Sequence, residues 1–363
     1  MEFVRDPSNI CSSSCSALAY CGIFNSYSST FLGSDFFLGA IGVDVFFIVS
    51  GYVMFLSASR VQVGHQGAIE FLLKRILRVF PLYLVVTVAW FSLRSISGAQ
   101  YDWRYVVDSL LLLPTKYGQE FSDPVLHLGW TLRFELYFYL LVGVGIAVGS
   151  RLFFPIAGII VSFLIWVYNG YYYGAPIVLE FIGGFLLAFF MLRRLTSGDS
   201  RLGDVVGFVF SIILLLLASI GKDTGYVSGD SYTVVPRMWI VYGDKFALLR
   251  PLAWGVPSLF LVYYAVKLEG RWTWSFARFG KYTFSLYLLQ VFSNSLAAKL
   301  KLFMPDIFAF ACGMLVLSGL TYISFRYFET PILNLMKKAR DPRQSSTGSV
   351  VGGDVRGDKV LKV

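Results

Sequence analysis

A chain of 363 residues could hold one to three soluble domains, but 56% hydrophobic residues, 18% aromatics and a mean hydropathy of +0.65 exclude an ordinary soluble class. The formal charge of +9 does not mark a nucleic-acid binder, because the basic residues fall in short clusters between apolar runs, where membrane topology places them. The composition describes an all-α protein, a polytopic integral membrane helical bundle.

Residues 1–38 form an atypical N-terminal segment. They lack the basic stretch followed by an apolar run that marks a secretory signal, and the serine-rich piece 14–32 carries a polar load that a lone helix in lipid resists. Cys11, Cys15 and Cys21 crowd this segment and Cys312 stands alone, so metal spacing lacks a fourth ligand and no metal site is expected. A membrane domain is expected over 39–338, with nine firm spans near 40–57, 79–96, 128–149, 152–169, 176–192, 204–220, 247–266, 277–297 and 303–325. Segment 14–32 would be a tenth. Between the second and third firm spans, "VVDSLLLLP" is too short to cross and is expected at the outer interface or as a re-entrant piece. Residues 221–246 form the longest outer loop, and the polar, Gly/Ser-rich tail 339–363 is expected to be disordered and cytoplasmic.

Basic residues set the orientation. Placing loop 58–78 and the C-terminal tail inside puts 21 of the 31 lysines and arginines on the inner side and nine outside, with Arg133 inside a span. The bias makes the C-terminus cytoplasmic. Nine spans would leave the N-terminus outside, ten inside.

Charges within spans are the informative ones, since one at mid-span costs about 3 kcal/mol on insertion scales. Asp44 opens "GVDVFFIVSGYVM" and reads as an interfacial acid or as part of a site. Lys74, Arg75 and Arg78 precede Pro81 and Tyr83 in "KRILRVFPLY". They are either a positive-inside anchor or, with Arg75 and Arg78 on one helix face, a phosphate clamp for an anionic donor such as acyl-coenzyme A. "HLGWTLRFELYFYLL" carries His127, Trp130, Arg133 and Glu135; the last two lie two apart, point to different faces, and each is expected to pair across to another helix. Glu180 is a lone acid in "IVLEFIGGFLLA". Ser285 and Gln290 lie in "FSLYLLQ", and Arg326 and Glu329 close the last span in "FRYFETP".

These motifs, with Ser50 in the Ser-Gly pair of the first, resemble those of the membrane-bound acyltransferase 3 family, especially its exopolysaccharide O-acetyltransferase branch, from about Gly39 to Lys338. The resemblance implies a bacterial-type inner-membrane enzyme that moves an acyl group, usually acetyl, from cytoplasmic acyl-CoA to a hydroxyl of a glycan or glycolipid acceptor. It implies acyl-CoA contacts at Arg75 and Arg78, and a cavity lined by Asp44, Ser50, Trp130, Arg133, Glu135, Glu180, Ser285, Gln290, Arg326 and Glu329. In it Asp44, Arg133 and Glu135 would pair, and Glu329 would sit against Arg326.

Family members open with a helix bearing an arginine and, ten residues intervening, a histidine. Here Arg5 could stand for the arginine, and Ser16 then occupies the histidine's place; Gln290 also stands where the family usually has histidine. Transfer to an alcohol needs a group that takes the hydroxyl proton near neutral pH, which serine does not do. The alternatives are an altered N-terminal reading, a catalytically inactive copy, or another residue as base, for which Glu135 and His127 are the candidates. A polysaccharide-precursor transport or assembly protein is the rival from another class.

Overall fold

The computed structural model describes residues 38–117, 120–193, 201–219, 248, 250–269, 282–332 and 334. The expectations for segment 14–32, Arg5 and Ser16, the first three cysteines, loop 221–246 and tail 339–363 lie outside the described residues.

Ten helices follow in order among the described residues: α1 Leu38–Ser59, α2 His65–Ile96, α3 Trp103–Leu110, α4 Gly129–Ala147, α5 Phe153–Asn169, α6 Leu179–Arg193, α7 Arg201–Ser219, α8 Val256–Glu269, α9 Thr283–Leu300 and α10 Asp306–Ser324. Single π turns, Pro251–Gly255 and Phe325–Glu329, precede α8 and follow α10. Among the described residues the one departure from helix is a hairpin of three-residue strands, Thr115–Tyr117 and Glu120–Ser122, pairing Thr115 with Ser122.

Each of the nine expected intervals holds a helix, but among the described residues six are long and apolar enough to cross a membrane by length and composition. Phe153–Asn169 and Leu202–Ala218 are shorter apolar helices. In α9 the polar residues Ser285, Gln290, Ser293 and Asn294 interrupt an otherwise apolar run. The structure also moves one boundary. Hydropathy opens the second span at 79, whereas α2 starts at His65 and carries Lys74, Arg75 and Arg78 within it, because straight-chain Leu, Lys and Arg favour helix whatever their charge. Pro81 sits in its interior. The "VVDSLLLLP" piece becomes the end of α3, eight residues capped by Asp102, whose side chain accepts from Arg104 N at 3.1 Å; at about 12 Å it cannot cross.

The close crossing of α1 and α6 organises the interior. A Cβ on Gly184 would lie 1.8 Å from Ile48 O, and one on Gly51 would lie 2.2 Å from Phe181 O, so both glycines let backbones touch, as small residues do between membrane helices. Helices α2 and α4 run antiparallel, joined where Gly64 N donates to Ile146 O at 3.0 Å. One end of the bundle therefore holds loop 60–64; the other holds the hairpin. Phe47, Phe134, Phe138, Phe181 and Phe185 fill the centre, with Phe47 and Phe181 ring centroids 4.6 Å apart. Leu73, Ile76, Leu77, Val85 and Val88 of α2 and Leu315 and Ile323 of α10 stay exposed, the surface a lipid environment would cover.

Candidate functional site

Among the described residues, two groups of charged side chains concern the motifs above, apart from the Asp204–Lys267 pair that ties α7 to α8. The first is closed. Asp44, in the second turn of α1, and Arg250, just before the π turn at 251–255, are 0% and 1% exposed, and they pair in two-pronged fashion: Nε to Oδ1 at 3.0 Å and Nη2 to Oδ2 at 2.9 Å. The Arg250 guanidinium lies 5.2 Å from the Trp254 ring, and Trp254 Nε1 donates to Ala218 O at 2.9 Å, tying the turn to α7. Glu180 stands beside Asp44 and Arg250. It is buried, with its carboxyl against that of Asp44.

The second group surrounds Glu135 and reaches the surface at Arg78 of α2. Glu135 Oε1 accepts from Ser50 Oγ at 3.1 Å and from Tyr139 OH. Arg75 and Arg78 stand near the same carboxyl, and Arg78 is also near Glu329. Arg75 is half-buried, donates to Ser57 Oγ and lies 5.9 Å from the Tyr139 ring, while Arg78 is exposed. Glu329 accepts from Ser285 Oγ, which also sits 3.0 Å from Ser324 Oγ.

On α4 the polar side chains rise from this group toward the hairpin end. Tyr139, Glu135 and Thr131 recur every fourth residue, about 6 Å apart, and His127 continues the series in the turn before the helix. Thr131 Oγ1 lies 2.7 Å from Tyr287 OH, which donates to Leu128 O at 2.9 Å. His127 Nδ1 is 2.8 Å from Asp123 Oδ2. Trp130 is buried, edge-on to Phe47 at 6.2 Å. Arg133 is buried too; its Nη1 donates to Ser122 O at 2.8 Å, and Nε and Nη2 have no acceptor among the described residues. Tyr172 and Tyr173 stand beside it, and burial pushes both phenols up to about 12.

The expected pairings need correction. Asp44 pairs with Arg250, at the start of the expected span 247–266, and not with Arg133 or Glu135. Glu135 does reach across, to Ser50 of α1, but Arg133 ends on a strand carbonyl. Glu329 is held by Ser285, and Arg326 is exposed. Gln290 is buried, with Oε1 lacking a donor among the described residues. Ser57 and Tyr139 were not singled out, although Tyr139 follows Glu135 by four residues and so shares its face. Among the described residues no three His, Cys, Asp or Glu side chains gather as a metal site would require.

The acyltransferase 3 family model, described as an acyltransferase domain, matches residues 18–331 and so takes in both groups. The chain belongs to the acyltransferase 3 family. Similar proteins include the exopolysaccharide production protein ExoZ of Rhizobium meliloti, 31% identical over 175 residues that cover 44% of this chain and 54% of ExoZ. The O-acetyltransferase OatA of Staphylococcus aureus is 24% identical over 332 residues, 81% of this chain and 52% of OatA. The chain thus spans about half the length of the curated relatives it matches. No solved structure gives a significant match. Family membership and the apolar helices together make this a multi-pass membrane protein.

Proposed function

We propose that this acyltransferase 3 member moves an acyl group, acetyl in the first place, from acyl-CoA to a hydroxyl of a polysaccharide or glycolipid. The observation that carries the reading is the open charged group. Two arginines three residues apart on one helix face stand beside a carboxyl that Ser50 and Tyr139 hold in place, and Arg78 reaches the surface. Guanidinium forks suit phosphate oxygens, which coenzyme A supplies, so Arg75 and Arg78 would bind the donor. Glu135, paired with hydroxyls and not with one arginine alone, would keep both guanidinium groups aimed at the opening. Ser285 and Glu329 would close its lower wall. The names of ExoZ and OatA support a polysaccharide acceptor and an acetyl group.

In this reading the end of the bundle holding loop 60–64 faces the cytoplasm, with the C-terminus on that side, in a bacterial-type inner membrane, because the basic residues favour that side. Residues 39–338 form the membrane domain. Transfer of labelled acetyl to membrane glycan tests it: Arg75→Ala and Glu135→Ala should each lower transfer at least tenfold, and parental transfer in both would sink the assignment. A parent that binds acetyl-CoA but transfers nothing would instead make this an inactive family member, one of the readings that Ser16 leaves open.

A further inference from the structure

Transfer to a hydroxyl needs a proton acceptor placed at the acceptor's oxygen, and the chain has two histidines. His65 is exposed at the start of α2, at the far end of the bundle from the hairpin. His127 is different. Its Nδ1 lies 2.8 Å from Asp123 Oδ2, and since a carboxylate only accepts, Nδ1 carries the hydrogen, so that in the neutral ring Nε2 has the lone pair for an incoming hydroxyl.

The segment carrying this pair has no regular structure, yet three helices hold it. Tyr105 OH of α3 donates to Asp123 O at 2.6 Å, and Val125 N donates to Ser109 Oγ at 3.0 Å. Tyr83 OH of α2 fixes Ser109 by donating to its carbonyl at 2.6 Å, and Tyr287 OH of α9 donates to Leu128 O at 2.9 Å. A solvated surface pair four residues apart requires none of these tethers. Side-chain exposure of 36% for His127 against 19% for Asp123 leaves the ring reachable while its carboxylate stays sheltered. An independent observation points to a ligand beside the same segment, next to Asp123. Ser122, the neighbour of Asp123, takes one donor of Arg133, whose side chain is 1% exposed; Tyr172 meets the same guanidinium, while Nε and Nη2 have no acceptor among the described residues. Buried donors of that kind find an acceptor when a ligand arrives.

We propose that His127 is the base that takes the proton of the acceptor hydroxyl, with Asp123 as its positioning residue and Arg133 donating to an oxygen of the reacting ester. The inference rests on the O-acyltransferase reading above. As the acceptor oxygen bonds to the thioester carbonyl carbon, its proton passes to His127 Nε2. The tetrahedral intermediate then collapses with cleavage of the carbon–sulfur bond, and the leaving coenzyme A sulfur takes the proton from His127. The products are the ester and free coenzyme A, with His127 restored. From Tyr139 to His127 the α4 series covers about 18 Å, a span for the extended arm of coenzyme A to bridge from Arg75 and Arg78.

The test uses membrane vesicles holding the full chain, labelled acetyl-CoA and their own membrane glycan. His127→Ala should lower transfer about 100-fold or more while acetyl-CoA binding stays within twofold, and added imidazole should restore transfer at least tenfold. Imidazole rescue separates lost chemistry from lost folding. Asp123→Asn should lower kcat and leave the KM for the glycan unchanged. Parental transfer by His127→Ala, or a loss that imidazole does not relieve, overturns the role of His127 and leaves the acyltransferase reading standing. A parent that binds acetyl-CoA without transferring it overturns that reading, and this inference with it.

Discussion

The Asp44–Arg250 pair and the Glu135 group are both charged, both inside one helical bundle, and built on opposite plans. In the first, acid and base satisfy each other through two parallel hydrogen bonds, with both side chains at most 1% exposed. In the second, the acid is held by hydroxyls of Ser50 and Tyr139, and the cations stand at the edge with Arg78 exposed. A pair closed on itself has little to offer a ligand and fixes helix positions. Cations at a bundle edge, Arg78 exposed and Arg75 half-buried, can be reached by an anion that arrives from outside. The same residue types therefore serve architecture in one place and recognition in the other, and exposure of the cation decides which.

The largest effect should come from breaking the closed pair. Arg250→Ala leaves Asp44 buried without its partner and should cost about 3–5 kcal/mol, read by denaturant titration of the protein in bicelles. Replacing both by leucine should recover most of that loss, which would show the pair to be structural. Next comes the crossing that brings the two groups together. Gly184→Ala places a methyl 1.8 Å from Ile48 O, so α1 and α6 must part, and the same titration should show a loss of about 1–3 kcal/mol. Glycan transfer should fall with it, because Ser50 rides on α1. At the open group the effect moves from folding to binding. Arg78→Lys should leave stability within about 0.5 kcal/mol and raise the KM for acetyl-CoA about tenfold, or ~1.4 kcal/mol, since an ammonium lacks the two-pronged fit. Smallest of all, Glu180→Gln should change stability by less than about 1 kcal/mol, because the amide keeps the shape and can donate to Asp44, which the carboxyl stands against.

Much of the architecture was legible because lipid imposes it: long apolar runs must be helices, and each expected interval holds one. The boundary that slipped did so for one reason. Hydropathy reads charge as loop, so it opened α2 at 79, whereas a helix carries charged residues readily where a partner or an edge meets them. The partner of Asp44 lies 206 residues away, and no local pattern connects the two. The candidate site was legible by residue type but not by pairing. Glu329 meets Ser285 across 44 residues, and its expected neighbour Arg326 faces outward. One signal was present and unread: the four-residue spacing of His127, Thr131, Glu135 and Tyr139 puts them along one helix face. The three-residue strands of the hairpin carry too little pattern to be seen in sequence.

The central claim is that Arg75 and Arg78, set beside Glu135, bind the acyl donor. The concentration dependence of acetyl transfer from acetyl-CoA to membrane glycan tests it most directly, measured for the parent and for a chain carrying both Arg75→Ala and Arg78→Ala. A half-saturating donor concentration raised about 100-fold or more in the double variant, with unfolding in bicelles unchanged, is the expected result. The same half-saturation in both proteins would contradict the account.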